Sequence, residues 1–283
     1  MFTLNCKGKI TVFESPCVMG IINITPDSFY TGYLPESVET ILSIAGKMIN
    51  DGAKILDIGG QSTRPGSKRI SAKEEWERIA PVLENIRAKY PDILLSIDTY
   101  QSKVAEWSVY AGADMINDIS GGEMDAHMIE TVASLQVPYI CMHMKGTPET
   151  MQSNTGYPDI AKELVDYFSA KLNACQRLGI HDIIIDPGFG FGKSITDNFK
   201  LLSDLHILKM LEKPLLAGLS RKSTVYKTLG ISAGEALNGS TVLHTIALQK
   251  GADILRVHDV KEAMEAITLV GAYKKIASGG NDL

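Results

Sequence analysis

The sequence predicts an α/β protein built as a closed barrel of eight parallel strands, and three observations support this prediction. Short apolar runs recur along the chain, and near-continuous apolar runs are typical of strands that are buried on both faces. Helical patterns separate these runs, for example over residues 72–89, 159–178 and 234–249. Eight such units follow one another without a break, which favours a (β/α)8 barrel over the alternative, an open doubly wound sheet.

The elements can be placed in order along the chain. Residues 1–14 predict an N-terminal β-hairpin that turns at Lys7, Gly8 and Lys9, and we expect it to plug the barrel floor. Ser71 precedes the first long helix with Glu74 three residues later, which is the pattern of a capping box. A last helix is expected over 260–274 and a flexible tail over 276–283. The eight strands are predicted near residues 17–23, 54–59, 93–98, 114–118, 137–143, 182–186, 214–219 and 253–257.

Composition narrows the class of protein. No linker divides the 283 residues, so we expect a single domain over 1–283. A net charge of −5 without a basic tract disfavours a nucleic-acid partner. The sequence shows no secretory leader and no apolar run of about 18 residues, so we expect a cytoplasmic protein with no membrane partner. The cysteines lack metal-ligand spacing and are expected to be reduced thiols; they are Cys6, Cys17, Cys141 and Cys175.

Polar side chains close most of the apolar runs. Parallel strands bring their carboxyl ends to one rim, where α/β folds build their ligand sites. We therefore expect an active site for a small molecule at that rim. The residues that stand at or just beyond predicted strand ends are Asn23, Asp98, Asn117, Asp186 and His258.

Three segments are more specific than the alternation of strands and helices. Residues 23–29 follow the first strand, the run Gly-Gly-Gln-Ser-Thr-Arg-Pro-Gly at 59–66 follows the second, and Asp-Pro-Gly-Phe-Gly-Phe-Gly-Lys at 186–193 follows the sixth. Ser-Arg-Lys-Ser at 220–223 and Arg-Val-His at 256–258 accompany the last two strands. In this order the segments closely resemble the dihydropteroate synthase family, and the resemblance extends over about residues 17–275.

The resemblance implies a transferase of folate biosynthesis. Such an enzyme condenses 6-hydroxymethyl-7,8-dihydropterin diphosphate with 4-aminobenzoate to give 7,8-dihydropteroate and pyrophosphate, and pyrophosphate departs before the arylamine attacks. The resemblance also implies Mg²⁺ as cofactor, a homodimer, and competition by sulfonamides, which mimic 4-aminobenzoate.

The pterin ring requires a buried group that reads its edge. A carboxylate can accept two parallel hydrogen bonds from the pyrimidine half of the ring, and Asp186 ends a wholly apolar strand. Asp98 and Asn117 are expected to read the rest of the edge, Lys222 to donate to a ring nitrogen or carbonyl, and Met142 to form the floor. The alternative role for a single strand-end Asp is a helix cap or a structural ion pair.

The diphosphate requires a few focused cations. Arg256 and His258 at the eighth strand, with Thr63 and Arg64 after the second, are the candidates, since Arg matches phosphate bidentately. The alternative for either arginine is a pair with a rim carboxylate. Asn23 is expected to help hold Mg²⁺ through its side-chain oxygen.

Departure of pyrophosphate leaves positive charge on the pterin and adds negative charge to the phosphates. Asp98 is therefore expected to stabilise the ring, and Arg256 and His258, with Mg²⁺, the leaving oxygens. Arg64 and Lys222 complete the predicted catalytic residues.

The aminobenzoate requires an aromatic slot with an anchor for its carboxylate. Phe29 and Phe191 are expected to stack on its ring, Pro65 to form a wall, and Ser223 to bind the carboxylate near a helix N-terminus. Phe189 either shares this role or packs in the core. Arg221 is predicted to form a structural ion pair.

The resemblance fails in the loop after the first strand and at residue 61, and two rival functions follow. Thr31 and Tyr33 stand in a stretch where the family usually has Asp-Gly-Gly. Asp27 would then have to supply the missing charge, or the loop closes differently. Gln61 stands where Glu is common. The first rival is a pterin-binding paralogue with little catalysis. The second is a pterin-binding methyltransferase of corrinoid metabolism, which would not need the loops at 63–66 and 220–223.

Overall fold

The barrel prediction is confirmed in the computed structural model, which describes residues 1–24, 38–63, 66–151 and 155–279. These residues form a two-stranded antiparallel sheet and an eight-stranded parallel sheet. Each strand of the parallel sheet is followed by at least one helix. The architecture is therefore a (β/α)8 barrel preceded by a hairpin.

The elements have the following bounds. The hairpin comprises β1 (Phe2–Cys6) and β2 (Lys9–Phe13). The barrel strands are β3 (Cys17–Asn23), β4 (Ile55–Gly59), β5 (Leu94–Asp98), β6 (Met115–Asp118), β7 (Tyr139–Met142), β8 (Ile183–Asp186), β9 (Leu216–Ala217) and β10 (Ile254–Val257). The helices are α1 (Val38–Asn50), α2 (Ala72–Lys89), α3 (Ser102–Tyr110), α4 (Met128–Leu135), α5 (Ile160–Arg177), α6 (Ile195–Asp204), a 3₁₀ helix (Leu205–Leu211), α7 (Ser223–Leu229), α8 (Leu237–Gln249) and α9 (Val260–Ala277).

The sheet closes between its first and last strands. Neighbouring strands pair in parallel in the order β8-β7-β6-β5-β4-β3-β10-β9. Ile185 of β8 then bridges in parallel to Leu215, and its N–H donates to the Pro214 carbonyl at 3.0 Å. The strand β9 is shorter than the predicted run 214–219 because the chain turns after it, where the Lys222 N–H donates to the Leu219 carbonyl at 3.3 Å.

The hairpin closes the amino-terminal end of the barrel, as predicted. Leu4, Cys6 and Phe13 point inward and are buried. They pack in one cluster with side chains near the beginnings of the barrel strands, including Met19 and Ile55. Since this floor is apolar, polar chemistry is confined to the opposite rim.

Helix α2 shows how the outer layer packs. Its buried residues Ile79, Val82, Leu83 and Ile86 repeat at helical spacing and belong to the cluster that joins helices to strands. Burying a side chain of this kind stabilises the fold by roughly 1.5–3 kcal/mol. At the start of the helix, the predicted cap Ser71 accepts a hydrogen bond from the Glu74 N–H at 3.2 Å.

Three further predictions concern the helix bounds, the cysteines and membrane-spanning segments. Helix α2 has the predicted bounds, whereas α9 runs to Ala277, into the segment expected to be a tail. All four cysteines are unpaired and buried. Within the described ranges, no helix has both the length and the apolar character that crossing a bilayer requires.

We expect Leu4→Ala to lower the free energy of unfolding by about 2–5 kcal/mol, because it opens a cavity in the barrel floor. Val12→Ala, on the same hairpin at a position 54% exposed, is the matched control and should change it by less than about 1 kcal/mol. Urea unfolding measures both variants. Equal losses would contradict the role of the hairpin as a packed floor.

Candidate functional site

The strand register brings predicted polar residues to one level of the barrel. Asn23 pairs with Gly59, Gly59 with Asp98, and Asp98 with Asn117. Across the barrel, Met142 pairs with Asp186 in the same way. Because all eight strands run in one direction, these residues meet at the carboxyl end, as the sequence predicted.

A narrow cleft opens between these strand ends. Ile119 and Gly218 also line it, and the sequence did not indicate either of them. The cleft thus gathers most of the pterin and diphosphate candidates into one place. The predicted residues that line it are Thr63, Asp98, Asn117, Met142, Asp186, Phe191, Lys222 and Arg256.

The Arg256 guanidinium lies between two carboxylates. Its Nε donates to Asp57 Oδ2 and its Nη2 to Asp98 Oδ2, both at 2.6 Å. The Asn117 side-chain amide donates to the same Asp57 oxygen at 2.9 Å. The alternative expectation, that Arg256 pairs with carboxylates, is therefore confirmed, and its contact with diphosphate stays a prediction.

In this cluster, burial and the neighbouring charges shift the pKa values of Arg256 and Asp98 in opposite directions. Burial alone would lower the pKa of Arg256, but Asp57 and Asp98 raise it above its ordinary value, so the guanidinium stays protonated. Burial raises the pKa of Asp98, although Arg256 opposes the shift. The arginine is thus a permanent charge, whereas Asp98 holds a proton more readily than an ordinary carboxyl group does.

Asp57 is a site residue that the sequence reasoning missed. It is fully buried in β4, and its Oδ1 has no partner among the described residues. The signal was present, since an Asp in the middle of an otherwise apolar strand must find a cation or a strong donor. That partner, Arg256, is 199 residues away along the chain.

Asp186 and Lys222 are two further ionisable groups that line the cleft. Asp186 accepts a hydrogen bond from the Gly188 N–H at 2.7 Å, and burial raises its pKa while Lys222 opposes the shift. The Lys222 ammonium donates to the Phe189 carbonyl at 2.5 Å and lies 4.7 Å from the centroid of the Phe191 ring. Desolvation lowers the pKa of Lys222 to about 8. A buried acid and a partly buried base therefore line the same cleft.

His258 lies exposed at the rim, just beyond β10. Ser220 Oγ lies 3.0 Å from its Nδ1 and orients the ring. Although part of the residue is exposed, desolvation by the protein atoms around the ring, followed by repulsion from Arg256, lowers the pKa of His258. The imidazole is therefore neutral at neutral pH and can present Nε2 toward an anion.

The segment after β9 contains both a structural residue, Arg221, and a candidate ligand-binding residue, Ser223. Arg221 donates from Nε and Nη2 to the two carboxylate oxygens of Asp259, both at 2.8 Å, so the predicted ion pair is confirmed. Ser223 follows Lys222 in the sequence and is the first residue of α7. Phe189 is fully buried in the core, which decides in favour of packing.

Several predicted contributors lie outside the described residues, and their roles stay predictions. Those with predicted contacts to ligands are Phe29, Arg64 and Pro65. Those that depart from the family pattern, or would compensate for the departure, are Asp27, Thr31 and Tyr33.

Gln61 closes the loop after β4 on itself. Its amide nitrogen donates to the carbonyls of Ser62 at 2.9 Å and Lys68 at 3.0 Å, and its oxygen accepts from the Ile70 N–H at 2.9 Å. A carboxylate could accept the last bond but could not donate the first two. The departure from Glu at this position therefore has a structural role in this chain.

Glu75 lies buried beneath that loop. It accepts a hydrogen bond from the Gln101 side-chain amide and so links α2 to the residues after β5. Burial raises its pKa to about 7. The group is therefore partly protonated near neutral pH.

The fold and the cleft define the class of protein, and comparisons with known proteins agree. The family model described as "Pterin binding enzyme" matches residues 19–258. The chain is 42% identical over 272 residues to dihydropteroate synthase of Escherichia coli (strain K12), covering 95% of each. It is 44% identical over 256 residues to the dihydropteroate synthase of Synechocystis sp., covering 89% of this chain and 88% of that one.

Solved structures show the same likeness. The Yersinia pestis dihydropteroate synthase in complex with a sulfonamide drug matches with a TM-score of 0.92 and 39% identity, over 97% of this chain and 100% of that one. The Xanthomonas albilineans dihydropteroate synthase with 4-aminobenzoic acid matches with a TM-score of 0.89 and 39% identity, over 96% and 98%. The chain belongs to the pterin-binding enzyme family. Within that family, its place is among the dihydropteroate synthases.

We expect Asp57→Asn to lower the free energy of unfolding by about 2–4 kcal/mol, because it leaves Arg256 with one carboxylate in a buried site. Asp51→Asn breaks the exposed pair with Lys47, which has the same 2.6 Å separation, and should cost less than about 1 kcal/mol. Denaturant unfolding compares the two variants. Similar losses would show that burial does not set the strength of the Arg256 cluster.

We expect Glu75→Gln to alter the pH dependence of stability. The folded chain keeps this proton up to about pH 7, whereas the unfolded chain releases it near the ordinary value of 4.5. The unfolded state therefore binds fewer protons between these values, and the free energy of unfolding falls as pH rises through them. Since Gln cannot ionise, the variant should match the parent near the lower value and exceed it by about 3 kcal/mol above the upper one.

Urea unfolding at both ends of that pH range measures the difference. Glu74→Gln, at the neighbouring exposed position, is the control and should show no such dependence. A constant offset between Glu75→Gln and the parent at every pH would refute the raised pKa.

Proposed function

We propose that the cleft condenses 6-hydroxymethyl-7,8-dihydropterin diphosphate with 4-aminobenzoate, giving 7,8-dihydropteroate and pyrophosphate in folate biosynthesis. The observation that carries this proposal is the meeting, in one cleft, of Asp186, Asn117 and Lys222 with the Arg256 cluster. The first three can read the edge of a flat heterocycle, and the cluster can stabilise charge that develops on it.

Recognition of the pterin follows from the hydrogen-bonding atoms that these groups still have available. Asp186 Oδ1 already accepts from Gly188, so Oδ2 is available to the ring donors. The amide nitrogen of Asn117 is committed to Asp57, so its oxygen is the atom left to face the ligand, as an acceptor. Lys222, protonated below about pH 8, supplies a donor to a ring nitrogen or carbonyl. Each charge-assisted bond contributes roughly 1.5–3 kcal/mol.

The charge balance of the cleft favours departure of pyrophosphate before attack. Asp57 and Asp98 share the single cation Arg256, so the cluster has one more carboxylate than guanidinium. An excess of negative charge fixed beside the ring stabilises the positive charge that appears when the pyrophosphate leaves. Toward the rim, Thr63, Arg64 and His258 are proposed to bind the departing oxygens.

The rim offers a place for Mg²⁺. Asn23 is exposed there. Its Oδ1 lies close to Gly59, since a Cβ atom built on that glycine would be 3.6 Å from the Asn23 oxygen. Among the described residues, no group of three His, Cys, Asp or Glu side chains could hold a metal ion. Mg²⁺ is commonly bound by few protein oxygens together with substrate phosphates and water, so Asn23 and the diphosphate would hold it jointly. When bound, the ion would neutralise negative charge on the leaving group.

The arylamine then attacks the pterin methylene carbon. An aromatic amine is already a competent nucleophile, so the chain needs only to place it. Phe191 in the cleft and Ser223 at the start of α7 are proposed to bind the ring and the carboxylate, with Phe29 and Pro65 as further walls. The Xanthomonas relative binds 4-aminobenzoic acid and the Yersinia relative a sulfonamide drug. We propose that sulfonamides compete in the same slot here.

A homodimer and a cytoplasmic location are part of the same proposal. The last two helices expose large apolar side chains that would suit a second copy of the chain. These residues are Val242, Leu269, Tyr273 and Ile276.

Release of pyrophosphate is the test of the proposed function. With the pterin diphosphate and Mg²⁺, addition of 4-aminobenzoate should yield dihydropteroate and pyrophosphate in equal amounts. Pterin binding without release would support the paralogue with little catalysis. Transfer of a methyl group from a reduced pterin, with no pyrophosphate, would support the methyltransferase.

We expect Asp186→Asn to weaken binding of the pterin diphosphate by about 100-fold, the equivalent of roughly 2–3 kcal/mol, because the carboxylate loses its charge-assisted bonds. Asp166→Asn, in an exposed pair with Lys162 on α5, is the control and should bind as the parent does. Calorimetric titration measures both. Parental affinity in Asp186→Asn would remove this residue from the pterin site.

A further inference from the structure

Lys193 is a buried lysine with no role in the chemistry described above. It follows the glycine-rich run after β8 and is only 4% exposed. Its Nζ donates to the carbonyls of Gly188 at 3.0 Å, Phe191 at 3.1 Å and His143 at 3.3 Å. The same nitrogen lies 3.1 Å from His143 Nδ1.

This environment is unusual for a lysine. In the described part of the chain, no carboxylate lies within ion-pair distance of Lys193, so backbone carbonyls and one ring nitrogen hold the amino group. Desolvation lowers its pKa to about 7, and burial lowers the pKa of His143 to about 3, so the imidazole is neutral and can accept. A buried donor with so many acceptors constrains the backbone that supplies them.

The loop between β8 and α6 needs such a constraint. Gly188, Gly190 and Gly192 have φ angles of +70°, +83° and +62°, in the region that glycine adopts freely. Glycines of this kind make a loop costly to order. Asn198 also fixes it, since its oxygen accepts from the Gly190 N–H at 2.8 Å and its nitrogen donates to the Lys193 carbonyl at 3.1 Å.

The loop also packs directly against the end of β7. A Cβ built on Gly188 would lie 2.0 Å from the His143 carbonyl oxygen, so the two backbones are in close contact. Lys193 bonds to both sides of that contact. It therefore ties the loop to the strand end that carries the cleft residue Met142.

The constrained loop carries an aromatic wall of the cleft. Phe191 lines the cleft, and its own carbonyl is one of the Lys193 acceptors. The Phe191 ring lies over the Lys222 ammonium at 4.7 Å, and Lys222 donates to Phe189 in the same loop. A shift of this backbone would therefore move the ring relative to the ammonium.

We propose that Lys193 is a positioning residue for the second substrate: its buried amino group fixes the backbone of residues 188–191 and thereby the Phe191 ring that receives the aminobenzoate. The proposal rests on the proposed function for the identity of that substrate. Lys193 touches neither substrate and acts through Phe191.

The first experiment compares substrate parameters of Lys193→Met, which keeps most of the stem and removes the donors. The KM for 4-aminobenzoate should rise about tenfold, because the ring is no longer held in place. The Kd for the pterin diphosphate, measured by calorimetry without aminobenzoate, should be unchanged. Lys193→Arg, which keeps the charge and the donors, should restore part of the loss, and Lys200→Met on the exposed face of α6 should behave as the parent. A parallel rise in both constants, or an unchanged KM, would overturn the proposal.

A double-mutant cycle tests the route of action. In a Phe191→Ala background, adding Lys193→Met should raise the aminobenzoate KM no further, because the ring through which Lys193 acts is gone. A full additional rise in that background would overturn the proposal even if Lys193→Met alone were too unstable for accurate kinetics.

Amide hydrogen exchange provides a readout that does not depend on activity. Exchange at residues 188–193 should accelerate in Lys193→Met, while the amides of β8 exchange as in the parent. No change in the loop would overturn the proposal. If the parent enzyme released no pyrophosphate with 4-aminobenzoate, the proposed function would fail, and the exchange result would still decide whether Lys193 holds the loop.

Discussion

The site depends on one buried cation, the Arg256 guanidinium, and on the carboxylates that surround it. Arg256 belongs to β10, Asp57 to β4 and Asp98 to β5, and Asn117 extends the network to β6. Removing one member of a buried, hydrogen-bonded set leaves an uncompensated charge, which costs more than the set gains over an apolar core. The network therefore favours the strand register that brings the other rim residues to one level. The same buried ion pairs belong both to the ligand site and to the barrel interior.

The buried and the exposed polar groups of the cleft differ in charge. In the buried part of the cleft, Asp57, Asp98 and Asp186 outnumber the cations Arg256 and Lys222, and burial raises the pKa values of Asp98 and Asp186 while it lowers that of Lys222. Toward the rim, neutral His258 and the amide of Asn23 are exposed. A cleft that is negative in its depth suits a heterocycle that becomes cationic, whereas a neutral rim can accept an anionic tail together with its counterion. The proposed reaction makes both demands at once.

The sequence predicted what is periodic or local, and it missed what depends on contacts between distant segments. Apolar runs with polar ends predicted seven strands closely and placed Asp98, Asn117 and Asp186 correctly at the rim. The strand β9 is shorter because a turn at Lys222 ends it, which the apolar run does not reveal. Asp57 and Lys193 were missed as functional candidates because their partners are supplied by the fold. An isolated Asp in an apolar strand was a usable signal, but a lysine after a glycine-rich run was not.

In each of two loops at the rim, one buried side chain makes several hydrogen bonds to the backbone. Gln61 closes the loop after β4 through two carbonyls and one N–H. Lys193 bonds to two carbonyls of the loop after β8 and ties that loop to the His143 carbonyl after β7. In both cases a buried side-chain donor therefore contributes to the order of the loop. An arylamine needs no general base, and placement is then the main contribution that protein can make to its attack. On this argument, side chains that touch no substrate but fix these loops matter to turnover as much as the walls they support.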